Sequence, residues 1–248
     1  MQAKSIDEVI EQLDNIIEWA RGEKSRLGYF AALYRKVTLK VREGIADGFF
    51  DDGERVERLD VGFANRYLDA FERYRTKRVL TRSWKVAFDA AKHWWPIVLQ
   101  HLLLGMNAHI NLDLGIAAAR TSPGDAVLGL KNDFNKINEI LAALVDGVER
   151  ELAQIWPVLG LLDRIGGRTD EAIINFSMEK ARDHAWKVAE TLALLEEPQQ
   201  MSKIDDLDKE MAALGLKVRK PGLTIGSVTK IIRLRERGTI PQIIDILR

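Results

Sequence analysis

Residues 94–119 read WWPIVLQHLLLGMNAHINLDLGIAAA, and the fold turns on this stretch. It runs for 26 residues with Asp113 as its one formally charged side chain, which is long and apolar enough to suggest a membrane span. Yet Gln100, His101, Asn107, His109, Asn111 and Asp113 all lie inside it. A lone Asp already costs about 2.5–3.5 kcal/mol at a bilayer centre. An apolar helix carrying six such groups belongs at the centre of a folded bundle, where neighbouring helices supply hydrogen-bond partners. No membrane span is expected.

On both sides the apolar residues recur at helical intervals. Ile6, Val9, Ile10, Leu13, Ile16 and Ile17 step by three and four, with acids between them. Further helices are expected over 25–46, 54–75, 81–93 and 97–119, the last with Pro96 in its first turn and Thr121-Ser122-Pro123-Gly124 as its stop. Gly48 to Gly53 reads as a turn. Later helices are expected over 132–153, 157–165, 169–195 and 200–214, the third after a Gly166-Gly167 break. Leu216-Lys217-Val218-Arg219 is the one short alternation that suggests a strand. The fold class is therefore all-α, a multi-helix bundle around a buried central helix at about 97–119. Pro198-Gln199-Gln200 marks a boundary between a main helical domain (1–198) and a C-terminal helical arm (199–248) packed on it, unless the chain is one single domain.

Composition removes several function classes. The chain has 248 residues, no cysteine and four histidines, so thiolate chemistry, disulfides and iron–sulfur clusters are excluded. Lys and Arg number 37 against 37 Asp and Glu, a balance that argues against a general nucleic-acid binder. Gly22-Glu23-Lys24-Ser25 lacks the upstream glycine of a phosphate loop, and no GxGxxG, GxSxG or HExxH is present, so no nucleotide cofactor is indicated. Asp47 to Gly53 misses the spacing of a calcium loop, because Phe49 stands where an oxygen ligand belongs. The Glu-x-x-His pairs of helical di-iron proteins are missing as well. The acid-studded N-terminus carries no secretory signal, which makes the cytoplasm the default and leaves the Asn175-Phe176-Ser177 sequon without meaning.

Chemistry concentrates in the central helix. Eight positions turn a helix by about 80° and four by about 40°, so His101, Gly105, His109 and Asp113 trace one slowly drifting line. His109 and Asp113 are i, i+4 neighbours, a spacing that lets two side chains share an ion or a hydrogen bond. His101 lies about 12 Å further along the axis and is better placed beside such a site than in it. Asn107 and Asn111 form a second i, i+4 pair on another side. Burying an unpaired amide or carboxylate costs about 2–7 kcal/mol, so partners are expected on neighbouring helices. A structural hydrogen-bond network explains such a stripe as readily as a metal or catalytic site does.

Candidate partners are Asp133, Asn135 and Asn138, where the plainer reading of Asp133 is a helix cap. Glu179, Asp183 and His184 sit beside Arg182 and Trp186, where the plainer reading is a solvated charged face with Trp186 turned inward. Glu43 and Asp47 read as surface. Phe63, Tyr67, Phe71 and Tyr74 keep helical spacing and read as core.

The stretch from His101 through Asn107, His109 and Asn111 to Asp113 resembles the central motif of an uncharacterised bacterial family, a domain of unknown function. Three further blocks are similar to it: Phe63-Ala-Asn-Arg66-Tyr67-Leu, Asp133-Phe-Asn135-Lys-Ile-Asn138 and Arg182-Asp-His184-Ala-Trp186. The resemblance spans about residues 25–195. It implies a helical bacterial protein with these positions as its functional core, and it brings no activity.

The leading expectation is a metal-dependent enzyme acting on an apolar small molecule. His109, Asp113, Asp183 and His184 would be ligands, His101 or Asp133 the catalytic base, and Asn107, Asn111, Asn135, Asn138, Arg182 and Trp186 the supporting or substrate-contacting shell. Mono- or dinuclear iron would point to a non-heme oxygenase and zinc to a hydrolase. The alternatives are a non-catalytic small-molecule-binding bundle and a purely structural one.

Overall fold

The computed structural model describes residues 2–156 and 178–248. Their regular structure is entirely helical. In chain order the helices are α1 (Ile6–Gly22), α2 (Leu27–Ala46), α3 (Gly53–Arg75), α4 (Arg82–Ala90), α5 (Val98–Ala108), α6 (Gly115–Thr121), α7 (Ala126–Gly129), α8 (Lys131–Ile155), α9 (Met178–Ala193), α10 (Glu197–Arg219), α11 (Leu223–Arg235) and α12 (Ile240–Leu247). A π-helical turn, His109–Leu114, joins α5 to α6 into one continuous rod. The expected helix over 157–165, the Gly166-Gly167 break, the first part of 169–195 and the sequon lie outside the described residues.

Local sequence explains the starts. Ser5 accepts a hydrogen bond from the Glu8 N–H (3.2 Å) and Asp52 from that of Arg55 (2.9 Å), each satisfying a donor the first turn leaves free. Gly48 takes φ +67°, turning the chain between α2 and α3 as its sequence suggests. Leu216 to Arg219 does not form a strand. The segment is the last turn of α10, and its alternation reflects Val218 packing inward beside an exposed Leu216.

The rod Val98–Thr121 is, among the described residues, the one helix long and apolar enough to cross a membrane, and it is almost wholly buried within the protein. Two glycines set how closely its neighbours approach. A Cβ on Gly105 would fall 2.4 Å from the Phe30 ring of α2. One on Gly115 would fall 2.7 Å from the Ala185 carbonyl oxygen of α9. Gln100 ties the start of the rod to the end of α10: its Oε1 accepts from the Ile97 N–H (3.0 Å) and its Nε2 donates to the Val218 carbonyl (2.7 Å). The later helices share the core, with Val218, Ile225, Ile232, Ile243, Ile244 and Leu247 packed in one cluster with residues of α1, α2 and α5.

Candidate functional site

His109 opens the π-helical turn. Such turns close i→i+5 hydrogen bonds, are rare, and recur at functional sites. The widened turn carries His109 and Asp113 together on the side facing α2, α3 and α4. Phe63 of α3 stacks on the imidazole at 3.6 Å and 9°, and Tyr34 of α2 meets it edge-on at 4.5 Å. Phe30, Trp84 and Tyr67 complete an aromatic box, with ring centres 5.7, 5.9 and 6.0 Å away. Of these rings Phe63 alone is half-buried, and the other four are buried.

Asp113 is held from two sides. Arg66 Nε donates to its Oδ1 at 2.6 Å and Trp84 Nε1 to its Oδ2 at 2.8 Å. Burial pushes the Asp113 carboxyl up, but the Arg66 guanidinium, with His109 and the indole N–H, outweighs that and leaves it below its ordinary value. His109 Nδ1 stands 3.6 Å from Asp113 Oδ2, close enough to feel the charge but too far for a hydrogen bond. Burial lowers the His109 pKa against the pull of Asp113, so the ring is neutral at pH 7.

The box contains polar atoms that none of the described residues satisfies. Among the described residues both His109 nitrogens and the Tyr34 and Tyr67 hydroxyls have no hydrogen-bond partner. Burial drives both phenol pKa values up, so they remain protonated donors. Asp60, three residues before Phe63 on the buried stripe of α3, leaves Oδ2 unpartnered, and burial with the nearby Glu57 charge raises its pKa to about 7. On the far side of the same rings His101 Nε2 is also unpartnered. Burial, with Arg26 and Arg233 nearby, lowers the His101 pKa to about 3. A cavity of about 20 Å³ lies there, lined by Arg26, Phe30, Tyr67, Trp84, His101 and Gly105. It is large enough for one water between His101 and Tyr67.

The other expected residues lie apart from the box. Asn107 donates to the Met211 carbonyl of α10 (2.8 Å) and accepts from Asn111 (3.1 Å), so this pair is the satisfied amide seam the second stripe suggested. Asp133, expected as a base, makes its contacts elsewhere. It is fully buried, and its carboxylate accepts from the Asp51 N–H (2.6 Å), the Asp52 N–H (3.1 Å) and Arg55 (3.2 Å), fastening the turn before α3. Asn135 is exposed and Asn138 half-buried. Arg182 is buried, donates to the Phe134 carbonyl at 2.7 Å and covers the Phe134 ring at 4.5 Å, with burial lowering its pKa to about 9. Trp186 packs on the same ring at 5.0 Å. Asp183 is exposed and His184 half-buried, facing the charges of Glu210, Lys187 and Lys203.

The described residues therefore do not assemble a donor set for iron or zinc. Among the described residues no three His, Asp or Glu side chains group so that they could hold a metal ion. Both Asp113 oxygens already accept hydrogen bonds, one from a cation, which leaves His109 without a second ligand among the described residues. Sequence reasoning missed Tyr34, Trp84 and Asp60. Asp60 had a signal, being the one acid on the apolar stripe Val56, Leu59, Phe63, Ala64 and Tyr67.

The model of a family described as "Family of unknown function (DUF5995)" matches residues 6–221. No curated protein and no solved structure matches the chain.

Proposed function

The chain belongs to this family of unknown function, and from the geometry we propose that it binds a small neutral molecule in the aromatic box, with His109 able to take a proton from it. One observation carries the reading: four buried polar atoms, on the neighbouring rings of His109, Tyr34 and Tyr67, have no hydrogen-bond partner among the described residues. Leaving a buried donor or acceptor unsatisfied costs about 1–3 kcal/mol. A neutral ligand with a hydroxyl or carbonyl would satisfy them, whereas a charged one would meet a burial penalty no free counter-charge offsets. Neutral His109 has a lone pair to accept a proton, and Asp113, kept ionised by Arg66, would stabilise the imidazolium. Phe63, the half-buried wall, is the side chain that must swing for entry.

Phenol is the appropriate probe, because its ring can take the place of Phe63 on the imidazole with the hydroxyl turned inward. Calorimetric titration should show saturable binding to the wild type, tighter binding to Phe63→Ala, and loss in the Tyr34→Phe/Tyr67→Phe double variant. A double variant that binds phenol as well as wild type would remove the basis of the reading. The structural alternative is favoured by one fact, that Asp113 is already satisfied by protein groups. It predicts no phenol binding to any protein that retains Phe63.

A further inference from the structure

Formal neutrality hides a strong asymmetry along the chain. Residues 217–248 hold eight Lys and Arg against two Asp and Glu, a net charge of +6, and the first 216 residues therefore carry −6. The basic segment includes α11, whose inner stripe Ile225, Thr229 and Ile232 is buried. Its outer stripe, Leu223, Ser227, Lys230, Ile231 and Leu234, follows helical spacing into solvent. Leu223 is 94% exposed, Leu234 67% and Ile231 51%, which is unusual for aliphatic side chains on one helix face.

A second apolar element continues this surface. Trp94 and Trp95, between α4 and α5, are about half exposed. They are fixed against α11: Arg233 Nε donates to the Trp94 carbonyl (2.6 Å) with its guanidinium 4.9 Å above the Trp94 ring, and Lys230 Nζ lies 5.8 Å from the Trp95 ring.

We propose that this face, Trp94 and Trp95 with the outer stripe of α11, docks the protein peripherally on an anionic lipid bilayer. Tryptophans settle at the headgroup level, aliphatic side chains enter the acyl boundary, and Lys and Arg meet the lipid phosphates. Charge complementarity selects the occupant. Exposed Lys230 and Arg235 beside the exposed apolar side chains suit an anionic bilayer and not a neutral one. A nucleic acid would use the charges and rings but gives Leu223, Ile231 and Leu234 nothing to bury against. The two indoles also meet edge-on (4.8 Å, 75°) and do not form a parallel stacking platform. The site is separate from the aromatic box and does not depend on it.

Vesicle co-sedimentation of the full chain tests the proposal. Binding is expected to mixed phosphatidylcholine/phosphatidylglycerol vesicles, with a blue shift in tryptophan emission and weakening by salt, and not to phosphatidylcholine alone. Trp94→Ser/Trp95→Ser should weaken it about ten-fold or more, and so should Ile231→Ser/Leu234→Ser and Lys230→Gln/Arg235→Gln. These positions are solvent-facing, and unchanged far-UV circular dichroism confirms that each variant folds. The proposal is overturned if the wild type ignores anionic vesicles, or if the apolar variants bind them as well as wild type. It is overturned equally if a single-stranded oligonucleotide is bound while anionic vesicles are not.

Discussion

Arg66 Nε lies 2.6 Å from Asp113 Oδ1, and this bond fastens α3 to the π-helical turn that carries His109. Arg66 retains some solvent contact while Asp113 is almost fully buried, so the pair spans the wall of the box. The bond also explains why a carboxylate can stay ionised in an apolar interior, since guanidinium and indole donors replace the water it lost.

Breaking that pair from one side should therefore be costly. Asp113→Asn leaves Arg66 facing a neutral amide and is expected to lower unfolding stability by about 3 kcal/mol. Adding Arg66→Met should cost less than the two single changes together, because neither charge is then stranded. Urea denaturation of the four proteins in the cycle measures the coupling.

The packing of the central rod is open to an equally direct test. Gly105→Ala puts a methyl 2.4 Å from the Phe30 ring and should destabilise by about 1–3 kcal/mol, with recovery when Phe30 is cut to Leu. Gly115→Ala also meets a backbone oxygen, at 2.7 Å, which no side-chain truncation removes. Thermal denaturation should show rescue at the first position and none for Gly115→Ala combined with Val188→Ala.

Asp60 gives the protein a particular pH dependence. Its folded pKa of about 7 exceeds the ordinary 3.8, so between these values the native state binds more protons than the unfolded chain. Stability from this group thus falls as pH rises from 4 to 7. His101, held near 3, acts in the opposite sense, contributing stability above pH 6.5 that is lost as pH falls. Asp60→Asn should match wild type near pH 3 and exceed it in melting temperature by a margin that grows from pH 5 to pH 8. Equal melting temperatures at pH 8 would show that Asp60 is not held in this way.

Asp133 is expected to matter for folding alone. Asp133→Ala strips acceptors from two backbone N–H groups and Arg55 and should cost about 2–4 kcal/mol. Phenol affinity, measured below the melting transition, should remain that of the wild type. A selective loss of binding would return Asp133 to the site.

The central helix was legible because 26 residues with a single charge leave few alternatives to burial. Its polar partners were not, since Trp84, Arg66 and the Met211 carbonyl are distant in sequence and the last carries no residue-type signal at all. The π-helical turn escaped a reading that assumed 3.6 residues per turn throughout. The partners of Asp133 were hidden for a related reason: the N–H groups it accepts from belong to the backbone of a remote turn. The exposure of Asp183 was legible as the plainer reading of its segment, because Ala181, Ala185 and Val188 define the inner stripe of α9 and residue 183 points away from it.

Nitrogen-15 imidazole spectra, recorded during phenol titration at pH 7, test the central claim most directly. His93 is exposed and His184 lies on another helix, so both serve as internal controls. A neutral His109 is expected, its nitrogen shifts moving saturably with phenol while those of His93 and His184 stay fixed. An unmoved His109 signal at phenol concentrations that saturate Phe63→Ala would contradict it and leave the box a structural network only.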